Sequence, residues 1–358
     1  MSTRRVLLTG ANGYVAQHVL AAFLKAGHSV RGIVRSQSKV DQLKRTFKDY
    51  AGTAQLDFDI VTDITAPGAF DAVLSSDPPF DAVVHTASPF NYRLNSSALE
   101  FLEPAVHGTS EILASIARVA PTVKRVVLTS SMAAVVDFAA PKITSPAKVY
   151  TEKDWNPTTW EQAIAPGAAS SVGYQASKKY AEKAAWDFID KKKPNFDLVV
   201  LNPPMVYGPL YDPSIIGSPS ELPESVFGIY NKILGHGLTE STSLPPNVLH
   251  LYVDVRDLAQ AHLLATTTPG AGGHRFLILA EQGHMSNQRI VNIAREKLPE
   301  LHGRIPKGDP EKELSPEGTF DARNTSAREI LGLAFRSPQE TIGDLAAQLA
   351  AIDTRVGA

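Results

Sequence analysis

"LLTGANGYVAQHVLAAFLKAGHSVRGIVRS", residues 7–36, contains an apolar run, small residues Gly10, Gly13 and Ala16 at three-residue intervals, an amphipathic run and a second apolar run. Arg5–Thr9 reads as a short buried strand, Tyr14–Lys25 as a helix and Ser29–Arg35 as a second strand, which together make a βαβ unit with parallel strands. A strand that turns into a helix near Gly13 aims free N–H groups and the positive end of the helix dipole at the crevice above, which suits a diphosphate. Glycine lets the backbone approach such a ligand, and Ala16 lets the helix pack close to the strand. The same three residues would also serve as a plain tight turn; their place directly after the first strand, opening a helix, favours the dinucleotide reading.

The sign of the charge at the end of the second strand then matters. A carboxylate there would hold the adenosine ribose of NAD, whereas a guanidinium pairs with a 2′-phosphate. No carboxylate occurs between Ser29 and Val40, and Arg35 and Lys39 flank Ser36. These cations favour NADPH over NADH, against the simpler reading of two solvated surface charges. Farther along, Asp63 and Ile64 follow another apolar run, where they would meet the adenine edge and face.

The 358 residues are 43% hydrophobic and 20% charged with a formal net charge of -2, the composition of an ordinary globular protein with no electrostatic bias toward nucleic acid. The absence of cysteine removes disulfides, thiolate catalysis and thiolate metal sites. No apolar stretch reaches membrane-spanning length and the first residues run directly into a strand, so a cytoplasmic location without membrane attachment is expected. A single chain or a pair of identical chains is the expected assembly, acting on a small molecule.

Apolar runs at 81–86, 125–130, 197–201 and 275–279 alternate with helical patterns at 105–120 and 174–191, which predicts a doubly wound, Rossmann-type α/β fold with a parallel sheet. After Pro203 the chain becomes dense in proline, glycine and serine, marking a crossing into a smaller C-terminal substrate lobe. Residues 1–207, with returning segments at about 250–283 and 338–351, are expected to form the nucleotide-binding domain; about 208–249 and 284–337 would form the lobe. The stretch 338–351 is expected to pack back on the sheet.

A second constellation carries chemistry. "VVLTSS", residues 126–131, ends a strand in hydroxyls, and "YQASK" places Tyr174 and Lys178 one turn apart on one helix face. A tyrosine whose pKa is lowered by a nearby ammonium can protonate a carbonyl oxygen while a serine hydroxyl holds that oxygen. The lysine can also bind the ribose next to the nicotinamide. Taken alone, a Tyr and a Lys at this spacing are commonplace on an exposed amphipathic helix; the dinucleotide pattern gives the pair its meaning. His85 ends a strand with no second histidine at ligand spacing, so it reads as structural and no metal is expected.

"TGANGYVAQHV", "VVHTASPF", "VVLTSSMAAV", "YQASKKYAEKAAW" and "LNPPMVYGP" together resemble the extended short-chain dehydrogenase/reductases, over nearly the whole chain. The closest likeness is to fungal NADPH-dependent carbonyl and methylglyoxal reductases, which are similar to plant dihydroflavonol 4-reductases. The resemblance implies that Gly10, Gly13 and the backbone of Asn12, Tyr14 and Val15 meet the pyrophosphate, Arg35 and Lys39 the 2′-phosphate, and Asp63 with Ile64 the adenine. Thr86, Ala87 and Ser88 would lie along the cofactor. Pro203, Met205 and Val206 would cover the nicotinamide carboxamide, and Ser218 or Ser220 would reach the phosphates. Ser131 matches the family's catalytic serine, with Ser130 as the other possibility, Tyr174 its proton donor and Lys178 the partner. Phe90, Met132, Pro204, Tyr207 and Phe227 are candidate walls of an apolar carbonyl pocket, and each would equally serve as core.

Two other functions share much of this pattern. A sugar-nucleotide epimerase or hydroxysteroid dehydrogenase would keep the Tyr and Lys, but residues 208–244 carry no arginine to clamp a sugar diphosphate. A non-catalytic NADP sensor would have no need of the complete Ser131, Tyr174 and Lys178 set.

Overall fold

The computed structural model describes residues 3–88, 98–247, 249–280 and 284–357, the Phe101 side chain excepted. Phe90 lies outside the described residues. In chain order the strands are β1 (Arg5–Thr9), β2 (Ser29–Val34), β3 (Leu56–Ile60), β4 (Ala82–His85), β5 (Arg125–Thr129), β6 (Val149–Tyr150), β7 (Asp197–Asn202), β8 (Met205–Tyr207), β9 (Tyr252–Asp254), β10 (Arg275–Leu277) and β11 (Asp321–Ala322). The helices are α1 (Tyr14–Lys25), α2 (Gln37–Thr46), α3 (Leu99–Val119), α4 (Trp160–Ile164), α5 (Ser170–Lys192), α6 (Glu224–Ile233), α7 (Val255–Thr267), α8 (Asn287–Lys297), α9 (Thr325–Leu331) and α10 (Pro338–Val356).

Seven strands form one parallel sheet in the order β10-β7-β5-β4-β1-β2-β3. Every residue of β1 is buried, because helices cover both faces of the sheet and an unbroken apolar run is what such a strand needs. One face packs on α1, α7 and α9 through Val19, Leu20, Phe23, Leu258, Ala261 and Ala327. The other packs on α3 and α5 through Ile112, Leu113, Ile116 and Ala185. The chain works outward from β1 to one edge and then from β4 to the other, so the order reverses between β1 and β4. That reversal leaves a crevice above the carboxyl ends of the two strands, the place where α/β sheets of this kind take ligands.

A separate cluster makes the core of a smaller lobe, built from Val226, Ile229, Tyr230 and Ile233 of α6 with Ile290, Val291 and Ala294 of α8. The stretch 338–351, expected on the sheet, belongs here instead: Ile342, Leu345, Ala346, Leu349 and Ile352 of α10 pack into this lobe core. It is α9 that returns to the sheet side, with Ala327 and Leu331 beside Phe276. The apolar stripe of an amphipathic helix specifies that one face is buried, and both surfaces accept it equally well. At the start of α10 Ser337 and Glu340 form a reciprocal capping box with Pro338 in the first turn. Removal of such a cap costs about 1 kcal/mol.

Candidate active site

Gly10 closes β1 with φ +68, and a Cβ there would lie 3.0 Å from the Ala87 Cα, so close approach of the β1 and β4 ends requires glycine. Gly13 opens α1 in an extended conformation with no side-chain cap and no acidic residue in the first turn. The helix end therefore presents its amides and its positive dipole to the crevice. Thr9 and His85 are paired in register at the strand ends, and the Thr9 hydroxyl meets the His85 Nδ1 at 2.9 Å. Burial pushes the His85 pKa down to about 4, so the ring is neutral and structural. The Thr86 hydroxyl donates to the Thr9 carbonyl at 2.6 Å, which ties the two strand ends together. Thr9 was not singled out in the sequence; its register with His85 is the only signal that finds it.

A cavity of about 560 Å³ opens above these strands, lined by Gly10, Asn12, Gly13, Arg35, Asp63, Ile64, Thr86, Ala87 and Ser88 among others. Arg35 stands exposed just past β2, and among the described residues no carboxylate pairs with its guanidinium. Asp63 accepts hydrogen bonds from the Thr65 hydroxyl at 2.6 Å and the Thr65 N–H at 2.8 Å, which hold its pKa below the usual range. Lys39 lines an adjoining cavity of about 390 Å³ that meets the first at Asn12, and its ammonium donates to Gln42 at 3.1 Å. An uncapped helix end and a guanidinium that donate to phosphates, with an accepting carboxylate at the far wall, are the groups that a phosphorylated dinucleotide requires. The residues present fit that group.

Ser131 follows β5 at the start of a short helical turn, and its oxygen accepts the Ala133 N–H at 3.1 Å. Its hydroxyl faces the Tyr174 phenol of α5 closely enough to act on its pKa. Ser130 takes a different course: its hydroxyl donates to buried Glu182 at 2.7 Å. The structure thus brings Ser131, and not Ser130, to Tyr174. Tyr174 and Lys178 are half-buried on α5. Burial raises the Tyr174 pKa above 10.0, while the neighbouring Ser131 hydroxyl works the other way. This corrects the expected lowering by the lysine. The Lys178 ammonium lies 5.7 Å from the Tyr174 ring centroid and donates instead to the Ser88 hydroxyl at 3.0 Å. Its own pKa is pushed down by burial, to about 8.

The remaining expectations divide. Pro203 accepts the Met132 N–H through its carbonyl at 2.9 Å, which joins the loop before β8 to the segment carrying Ser131. Met205 and Val206 are half-buried in β8, paired with β9. The Tyr14 backbone opens α1, but its side chain leaves the crevice to donate to the Gly208 carbonyl at 2.6 Å. Val15 packs against the sheet core. Ser218 and Ser220 meet each other at 2.7 Å and lie outside the large cavity. Met132, a candidate pocket wall, is 0% exposed in a core cluster with Val135, Tyr150 and Leu277, and Tyr207 is buried in the lobe core against Tyr252. Both are core residues, because an apolar side chain after a strand end packs inward as readily as toward a ligand. Pro204 and Phe227 are half-buried. Among the described residues no group of three or more potential ligands gathers for a metal ion, and no helix is long and apolar enough to cross a membrane.

Comparison with known proteins accords with this geometry. The ketoreductase azaE of Aspergillus niger is 40% identical over 95% of this chain and 96% of its own length. The crystal structure of yeast methylglyoxal/isovaleraldehyde reductase Gre2 complexed with NADPH superposes with a TM-score of 0.88 at 34% identity, covering 98% of this chain and 99% of that one. Gre2 of Candida albicans in complex with NADPH gives a TM-score of 0.88 at 36% identity, with 98% and 99% covered. Residues 6–293 match the NAD dependent epimerase/dehydratase family, and the chain belongs to that family.

Proposed function

We propose that this protein is an NADPH-dependent reductase that converts aldehydes and ketones to alcohols. The observation that carries the proposal is the placement of the Ser131 hydroxyl beside Tyr174, with Lys178 one turn on, at the edge of a crevice suited to a phosphorylated dinucleotide. Gly10 and Gly13, whose N–H is bound to the Gly10 carbonyl, would let the pyrophosphate approach the backbone of Asn12, Tyr14 and Val15, with Arg35 and Lys39 at the 2′-phosphate, Asp63 with Ile64 at the adenine, and Lys178 at the ribose beside the nicotinamide. Thr86, Ala87 and Ser88 would lie along it, with Pro203, Met205 and Val206 over the carboxamide. When bound, NADPH supplies a hydride to a carbonyl carbon.

The chain supplies the proton and the positioning. Tyr174, a phenol whose pKa burial holds above its ordinary value and which is therefore protonated at neutral pH, donates its phenolic proton to the carbonyl oxygen. The Ser131 hydroxyl holds that oxygen in place. Pro204 and Phe227 are the remaining described candidates for apolar walls, since a carbonyl substrate needs burial more than charge pairing. The proposed setting is the cytoplasm, with a small carbonyl compound as partner and one chain or a pair as the working unit.

Purified protein incubated with NADPH and a panel of aldehydes, α-dicarbonyls and aryl ketones is expected to oxidise the cofactor, read as loss of its absorbance. No consumption with any of them would reject the reductase reading. The pH dependence is set by Lys178: below about 8 it carries its ammonium and its donors to the ribose, and above about 8 it is the neutral amine. The kcat/KM for NADPH, which reports groups of the free enzyme, is therefore expected to fall as pH rises through about 8. Lys178→Arg keeps its charge throughout and should abolish that limb; an unchanged limb would assign it to another group.

A further inference from the structure

Glu182 follows Tyr174 by eight residues and Lys178 by four, so the three share one face of α5. It is 0% exposed. One carboxylate oxygen accepts the Ser130 hydroxyl at 2.7 Å and the Asn202 side-chain amide at 2.8 Å. The other accepts the Arg275 guanidinium and, at 3.3 Å, the Trp186 indole N–H. An ionised carboxylate accepts at about four positions, so these donors satisfy the buried charge. Ser130 and Asn202 stand at the carboxyl ends of β5 and β7, and Arg275 lies in β10; one side chain of α5 thereby holds three neighbouring strands.

The same Asn202 amide nitrogen donates to the Ser131 carbonyl at 3.1 Å. The Asn202 side-chain oxygen is buried with no hydrogen-bond partner among the described residues, so its orientation is set by Glu182 and by Ser131 alone. A hydrogen-bonded path therefore runs from Glu182 through Asn202 to the backbone of Ser131, whose hydroxyl faces the Tyr174 phenol. Glu182 and Lys178 also wall one small cavity of about 20 Å³ behind the reacting groups.

We infer that Glu182 is a positioning residue for carbonyl reduction: its buried carboxylate orients Asn202 and so sets the Ser131 hydroxyl against Tyr174. The inference rests on the reductase reading above. Glutamine is nearly isosteric, but its amide group must face either the Asn202 amide or the Arg275 and Trp186 donors, N–H against N–H, and it leaves Arg275 without its counter-charge. Small displacements of a reacting group are costly, so Glu182→Gln is expected to lower kcat on the order of ten- to a hundredfold, with the Kd for NADPH changed by no more than about twofold.

The test is a double-mutant cycle with Ser131→Ala, reading kcat and, by fluorescence titration, the Kd for NADPH. If Glu182 acts through Ser131, adding Glu182→Gln to Ser131→Ala costs no more than about a further twofold. Equal losses in the two backgrounds overturn the inference, as does a Glu182→Gln enzyme with the parent's kcat. Should Glu182→Gln not fold, Asn202→Ala removes the amide between Glu182 and Ser131 and is read in the same cycle with the same outcomes. A parent protein that consumes no NADPH rejects the reductase reading and this inference together, whereas an active parent with an equally active variant rejects only this inference.

Discussion

Tyr174→Phe is expected to lower kcat by on the order of a hundred- to ten-thousandfold, the range that a positioned general acid contributes. The substitution deletes one oxygen and leaves the ring, so the packing of α5 survives. Lys178 is anchored independently on Ser88 at 3.0 Å, so the variant should bind NADPH with nearly the parent's Kd. The phenol is protonated across neutral pH and burial only raises its pKa further, which makes Tyr174 the acid on hand when negative charge develops on the carbonyl oxygen. Ser131 remains in the variant and can still donate a hydrogen bond to that oxygen, which sets the residual rate. Single-turnover kinetics with saturating NADPH provide the measurement. Retained turnover would place the proton elsewhere.

Arg35→Asp is expected to weaken NADPH binding by between about tenfold and a hundredfold while changing NADH binding by no more than about threefold. The physical basis is a sign change at one point. A guanidinium at the end of β2 pairs with a phosphate ester, and a carboxylate in its place repels the phosphate but accepts hydrogen bonds from an unesterified ribose. Arg35 stands exposed, so added salt should weaken its contribution in the parent and relieve the carboxylate–phosphate repulsion in the variant, narrowing the gap between the two. Titrating both cofactors at two ionic strengths separates the cases. Equal losses for NADPH and NADH would remove Arg35 from the phosphate site.

Much of the site is legible before any fold is known, because it is written in local chemistry. The small residues Gly10, Gly13 and Ala16, the apolar periodicity around them and the arginine after β2 are all readable from neighbours within one βαβ unit. The choice between two adjacent serines is not local. Ser130 and Ser131 differ in which way a side chain leaves the end of β5, and only the placement of Glu182 on one side and Tyr174 on the other gives them different partners. Met132 and Tyr207 illustrate the same limit: both are apolar residues beside a site, and their burial in separate clusters depends on elements far away in the chain. Glu182 passed unnoticed for a related reason. A glutamate on a charged helix normally faces water, and the one available sign was its i+4 and i+8 spacing from Lys178 and Tyr174.

By itself the sequence determined the parallel α/β sheet, the place of the dinucleotide crevice and the residue types that meet it, since alternating strand and helix patterns with a glycine turn admit few other folds. Tertiary structure alone decided the electrostatics. The Tyr174 pKa rises and the Lys178 pKa falls because burial against distant parts of the chain desolvates both groups, and this outweighs the attraction that their spacing suggested. It also sent α10 to the lobe and α9 to the sheet, because an apolar stripe records that a face is covered and carries no address for the surface that covers it.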